Sequence, residues 1–224
     1  MAALLSAIVV FILSHMIPMR PKFRQPLEQC LGRVGFLIAY SILSLLIIGW
    51  LGHAFAQAPF VQLWPWSIWA AWLPVVLMPI ASFLIVAGLS SKNPFSLGAG
   101  AQGFDLARPG IVTVSRHPVM WGLVLWSGSH IPVNGDVAGL LLFGLMLLLS
   151  LAGTFTMERV KRRRYSADEW ERMLKNTVNV PFASPLTIDW GGIGWWRVLL
   201  GAVLYLALLF AHQPVIGIAP PVFY

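Results

Sequence analysis

The sequence predicts an all-α fold, a polytopic transmembrane helix bundle of about six spans with a short cytoplasmic amphipathic helix. Three observations predict it. The 224-residue chain is 58% hydrophobic and only 10% charged, a balance foreign to a soluble monomer. Its apolar residues gather into six runs. All 15 Lys and Arg residues fall on one side once those runs are threaded through a bilayer. Arg20, Lys22, Arg24 and Arg33 lie between the first and second runs, and Lys92, Arg108 and Arg116 between the third and fourth. The others, from Arg159 to Arg197, lie between the fifth and the last. The alternate connections, near Ala58 to Trp64 and Val133 to Asp136, carry none. Basic residues are retained on the cytoplasmic face, so the threading places both termini outside a bacterial cytoplasmic (inner) membrane. Residues 1–224 read as a single domain.

Each element has its own justification. The first run, Ala2 to about Pro18, lacks a basic stretch before it and a small-residue cleavage pattern after it, so it reads as a helix and not a signal peptide. The second, Val34 to about Ala56, has a spanning length of roughly 20 residues. Cys30 sits before it, in a basic cytoplasmic loop, and as the lone cysteine has no internal disulfide partner. The third, Trp66 to about Leu89, contains Pro74 and Pro79 and is expected to kink; Trp64, Trp66, Trp69 and Trp72 mark its outer end as an aromatic belt. The fourth, Val119 to Val133, is short and holds Ser127, Ser129 and His130, which places it inside protein and away from lipid. The fifth, Val137 to Thr156, is Leu-rich, uncharged and lipid-facing. Ser166 with Glu169 forms a capping box for a short interfacial helix through Leu174. The sixth run is Trp195 to about Ile216.

The charge excess does not indicate nucleic acid. Most basic residues anchor loops, and the run Lys161-Arg162-Arg163-Arg164 meets anionic headgroups. The lipid bilayer is the expected partner. Five histidines lie in or against spans, where ionisable groups face the bundle interior. Threading puts His15 and His117 in the cytoplasmic half, and His53, His130 and His212 in the outer half. Two imidazoles at one level on different helices suit a haem held by both; no acidic or cysteine cluster points to zinc, calcium or di-iron. Arg116-His117-Pro118 opens the fourth run, where a helix N-terminus with Arg and His forms an anion site, and Gly122 allows close approach of a ligand or a helix. The long connection from Asn93-Pro94 through Arg108-Pro109-Gly110, about 25 residues, suggests a structured lid. Asn134-Gly135-Asp136 is a tight-turn signature, with Asp136 as an N-cap.

These strings resemble the NnrU family of membrane proteins. The resemblance rests on Ser14-His15-x4-Arg20, Tyr40-Ser41, Ala58-Pro59 with Leu63-Trp64, Asn93-Pro94 and Pro109-Gly110. Its longest part is Arg116-His117-Pro118-x3-Gly122-x3-Trp126-x3-His130-x3-Asn134-Gly135-Asp136, continued by Asn179-Val180-Pro181-Phe182-Ala183. It covers roughly residues 8 to 185. The family is linked to nitrogen-oxide metabolism in denitrifying bacteria. It is similar to the plant and cyanobacterial 15-cis-ζ-carotene isomerases, membrane enzymes that use haem b. The resemblance therefore implies haem b, with His15 and His130 as axial ligands and a further role for His117. Depth alone favours His15 with His117, so the iron-ligating pair among His15, His117 and His130 stays open, with Arg116 and Gly122 as further cofactor-binding candidates. An apolar polyene or a nitrogen-oxide-related partner would be the client. Two other readings stand beside this one. The Arg116-His117-Pro118-x3-Gly122 string also resembles isoprenylcysteine and phospholipid methyltransferases, which bind S-adenosylmethionine. A non-catalytic accessory protein, its histidines only packing helices, is the third. The residues leave open whether the chain is an enzyme.

Overall fold

The computed structural model describes residues 1–18, 20–97 and 100–223, and the described residues form helices, with one isolated β-bridge, Gln62 to Asp136, and no named strand. Eight α-helices follow in order: α1 Ala2–Met16, α2 Pro21–Ala56, α3 Ile68–Ser90, α4 Pro118–Asn134, α5 Val137–Arg162, α6 Ala167–Leu174, α7 Trp190–Ile193 and α8 Trp195–Ile216. The chain divides into two compact units, one of residues Met1–Trp64 with Asp136–Leu142, the other of Pro65–Gly135 with Phe143–Tyr224.

All six apolar runs are helical, but the expected count of about six spans is not confirmed. Among the described residues, four helices combine the length and apolarity needed to cross a bilayer: α2, α3, α5 and α8. The apolar α1 has only 15 residues and α4 has 17. At 1.5 Å per residue these reach about 23 and 26 Å, short of a hydrocarbon core of about 30 Å. The reason is local: Pro118 and Gly135, in the left-handed conformation at φ 62°, bound α4.

The first unit departs from the expected loop before the second run. Residues 21–31 are already helical and α2 bends at Gly32, where φ is 67° and ψ 161°, a region that a side chain strongly disfavours. Cys30 therefore lies exposed on a helix, not in a loop. The bend is sharp. The Arg24 guanidinium lies 5.6 Å from the Phe36 ring centre, whereas twelve residues of straight helix would separate the two backbones by about 18 Å, beyond the combined reach of the side chains. Elsewhere in this unit Asp136 caps α5 as anticipated: its carboxylate accepts from Gly139 N at 3.0 Å.

In the second unit α3 packs against α4 and α8. Small residues make this possible. Ala70, Ala71, Ala81, Ser82, Ala87 and Gly88 of α3 are buried, and α4 comes close enough that a Cβ on Gly122 would lie 2.9 Å from the Ala81 carbonyl and 2.6 Å from Ile85 Cγ1. Gly201 of α8 presses on Phe83 in the same way, 2.7 Å from a built Cβ to the Phe83 Cα. At the basic end of the unit, Arg197 donates to Ser90 Oγ at 2.9 Å and to the Ser90 carbonyl at 3.1 Å, capping α3.

Described residues of the connection after α3 belong to an apolar core. Phe95, Ile111, Val112 and Val114 are fully buried and meet Trp170 and Met173 of α6 and Ile193 of α7. The capping box of α6 is present: Ser166 Oγ accepts from Glu169 N, and the Glu169 carboxylate accepts from Ser166 N at 2.9 Å. So α6 turns its apolar face into protein as well as exposing charge outward. Helix α5 runs six residues beyond the anticipated Thr156, which carries Glu158 onto the same helix end.

Candidate functional site

The Arg116-His117-Pro118 string forms a latch within the second unit. Pro118 begins α4 because its missing N–H costs nothing there, and His117 takes the N-cap. The anion at this helix start is the chain's own Glu158. Arg116 reaches its carboxylate through Nη2 at 3.3 Å and Nε at 3.4 Å, and the His117 Nε2 lies 3.1 Å from Glu158 Oε2. Arg116 also donates to the Thr177 carbonyl at 3.2 Å and lies over the Phe95 ring. The backbone joins in: Arg116 N donates to the Val178 carbonyl at 2.7 Å, and the Arg116 carbonyl accepts from Asn93 Nδ2 at 3.0 Å.

Neighbouring residues extend the latch. Asn93 Oδ1 accepts from the Phe95 and Ser96 amides, which folds the chain after α3 tightly onto α4. Ser115 Oγ accepts from His117 N and donates to the Asn179 carbonyl at 2.6 Å; Trp121 Nε1 donates to Asn179 Oδ1 at 3.1 Å. The His117 ring is fully buried, and its Nδ1 has no partner among the described residues.

His15 and His130 share a different arrangement. In α1, Ser14 Oγ and His15 Nδ1 both donate to the Phe11 carbonyl, at 2.9 and 2.8 Å. In α4, Ser129 Oγ and His130 Nδ1 both donate to the Trp126 carbonyl, at 2.9 and 2.7 Å. A carbonyl has no proton to give, so each Nδ1 carries the hydrogen and each Nε2 presents a lone pair. Aromatic rings flank both imidazoles. Phe11 lies 4.2 Å from the His15 ring and Tyr40 meets its edge at 6.0 Å. Trp126 lies 6.0 Å from His130, and Phe143 stacks on it at 5.1 Å. His15 belongs to the first unit, His117 and His130 to the second.

Of the residues read as site candidates, the structure thus brings Arg116 and His117 together on Glu158. It places His130 thirteen residues along the same unbroken helix, about 20 Å from His117. The open side of Gly122 is taken up by α3. His53 is exposed, and His212 donates to the Ile218 carbonyl. Among the described residues no group of three or more His, Cys, Asp and Glu is set to hold a metal ion; a haem needs only two protein ligands. Sequence reasoning missed Glu158 and Thr177, and it quoted Asn179 only within a family string, without its bonds to Ser115 and Trp121. Glu158 had one available signal, as the acid that ends the uncharged run of α5.

The family model described as NnrU protein matches residues 3–220, nearly the whole chain, and the protein belongs to the NnrU family. Together with its long apolar helices, this makes it an NnrU-type membrane protein. No curated protein and no solved structure matches it.

Proposed function

We propose that this membrane protein binds haem b, with His15 and His130 each prepared as an iron-ligating imidazole, and serves nitrogen-oxide metabolism or the isomerisation of an apolar polyene. The observation that carries this reading is the twin preparation of the two rings. Metal-ligating histidines donate their second ring nitrogen to a carbonyl or carboxylate, which fixes tautomer and orientation and raises ligand basicity. His15 and His130 both do so, through the same Ser-His pair onto the carbonyl four residues back. The donor set fits haem iron, which accepts neutral imidazole Nε2. When bound, the haem would supply a redox-active iron. The chain's own residues orient each imidazole within its own unit: Phe11 and Tyr40 flank His15, and Trp126 and Phe143 flank His130.

His117 takes a different part in this reading, because its Nε2 is engaged by Glu158. The same pair weighs against methyl transfer. A cofactor carboxylate seeking Arg116 would have to displace Glu158, already within 3.3 Å.

Absorption spectroscopy of the purified full chain, with haem supplied during expression, tests the proposal. The expected result is a haem spectrum that His15→Gln and His130→Gln each abolish while His53→Gln and His212→Gln leave it intact. A folded protein without haem absorption would overturn the reading. Haem-free protein whose His15→Gln and His130→Gln variants keep full cellular function would favour the accessory role.

A further inference from the structure

The first limb of α2 presents an apolar face that stays exposed among the described residues. At 100° per residue, Pro26, Cys30, Phe23, Leu27 and Leu31 fill one continuous sector of about 140°. Lys22, Arg24, Gln25, Glu28 and Gln29 fill the remainder. Phe23, Leu27 and Leu31 are 45%, 43% and 50% exposed, and Cys30 is exposed beside them.

Length and charge identify what covers this face. The 36 residues of α2 would extend about 54 Å if straight, far more than a hydrocarbon core of about 30 Å. Residues 33–56 alone are long enough to cross, so 21–31 fall outside the core. The bend at Gly32 folds this limb back until Arg24 meets Phe36. Arg20, Lys22, Arg24 and Arg33 flank the stripe against the single acid Glu28, and Glu28 is neutralised by Arg24 at 2.9 Å. The remaining cations have an excess of positive charge to offer an anionic surface.

We propose that the 21–31 limb is an interfacial membrane-binding helix. It lies in the headgroup layer of a bilayer containing anionic phospholipid, immerses Phe23, Leu27, Cys30 and Leu31 at the acyl boundary, and sets Arg20, Lys22 and Arg33 against lipid phosphate. The inference is independent of haem, since it uses only the stripe, the bend and the charges.

The lone cysteine provides the test. A nitroxide is attached to Cys30 in the full chain, reconstituted in phosphatidylcholine vesicles with and without phosphatidylglycerol. A comparison label is placed on the polar face by Gln29→Cys in a Cys30→Ser background. With anionic lipid, collisions of the Cys30 label with a water-soluble nickel chelate should fall about threefold below those at position 29, while collisions with oxygen rise. Without anionic lipid the contrast should shrink. Equal nickel accessibility at both positions in both vesicles would overturn the proposal. Equal protection of Cys30 with and without phosphatidylglycerol would overturn its anionic-lipid part. Dipolar broadening between Cys30 labels would overturn it in favour of a second copy of the chain.

Discussion

Removing the Glu158 carboxylate should loosen the basic end of the second unit more than any other single polar substitution there. The carboxylate accepts from Arg116 and His117 together, with Arg116 and Glu158 side chains 14% and 23% exposed and His117 fully buried. A hydrogen bond to a charged group contributes about 1.5–3 kcal/mol, and breaking a buried pair costs about 3–5 kcal/mol. The contacts of 3.1–3.4 Å are longer than ideal charge-assisted bonds, and both partners keep some solvent. These factors place Glu158→Leu at about 3 kcal/mol and Glu158→Gln at about 1–2 kcal/mol. Arg116 keeps Thr177 and Phe95 in either variant, which limits the loss. Mixed-micelle unfolding of a double-mutant cycle with Arg116→Met and Glu158→Leu measures the link, with an expected coupling of about 2 kcal/mol. Proteolysis between α3 and α4 should accelerate in parallel. A coupling near zero, with Glu158→Gln as stable as the parent, would refute the latch.

Three further outcomes follow from particular contacts. Gly122→Leu should destabilise by about 2–3 kcal/mol, because the Cβ alone meets the Ala81 carbonyl and Ile85, and thermal unfolding in detergent reads it; an unchanged melting temperature would contradict the close α3–α4 approach. Gly32→Ala should cost about 1–3 kcal/mol through its backbone conformation alone, since the added Cβ faces open space among the described residues, and the distance between labels at positions 24 and 36 should increase. Hydrogen bonds from the Ser166 amide and hydroxyl hold the Glu169 carboxyl below its usual range. The capping box therefore contributes fully above the ordinary Glu value and is lost as pH falls through the lowered one, so hydrogen exchange in α6 should quicken on acidification; Ser166→Ala, which keeps the amide donor, should weaken that pH dependence and cost about 1 kcal/mol, and Glu169→Gln should remove it.

Elements with local causes could be read from the order of residues alone. Six apolar runs became helices because length and hydropathy suffice for that. The Ser166–Glu169 box and the Asn134-Gly135-Asp136 turn were legible because their partners lie within three or four residues. Pro118 marked the start of α4 for the same reason, and the twin Ser-His pairs were visible as strings, although their bonding was not. Contacts between distant residues came from folding. Glu158 meets Arg116 and His117 across about forty residues of chain, and no periodicity encodes which cation a lone acid will meet. The connection after α3 contributes to an apolar core because Phe95 and Ile111 found Trp170 and Ile193. The span count also exceeded the reach of one-sided charge. The positive-inside pattern orders segments but does not measure them, and Pro118 and the left-handed Gly135 hold α4 to 17 residues.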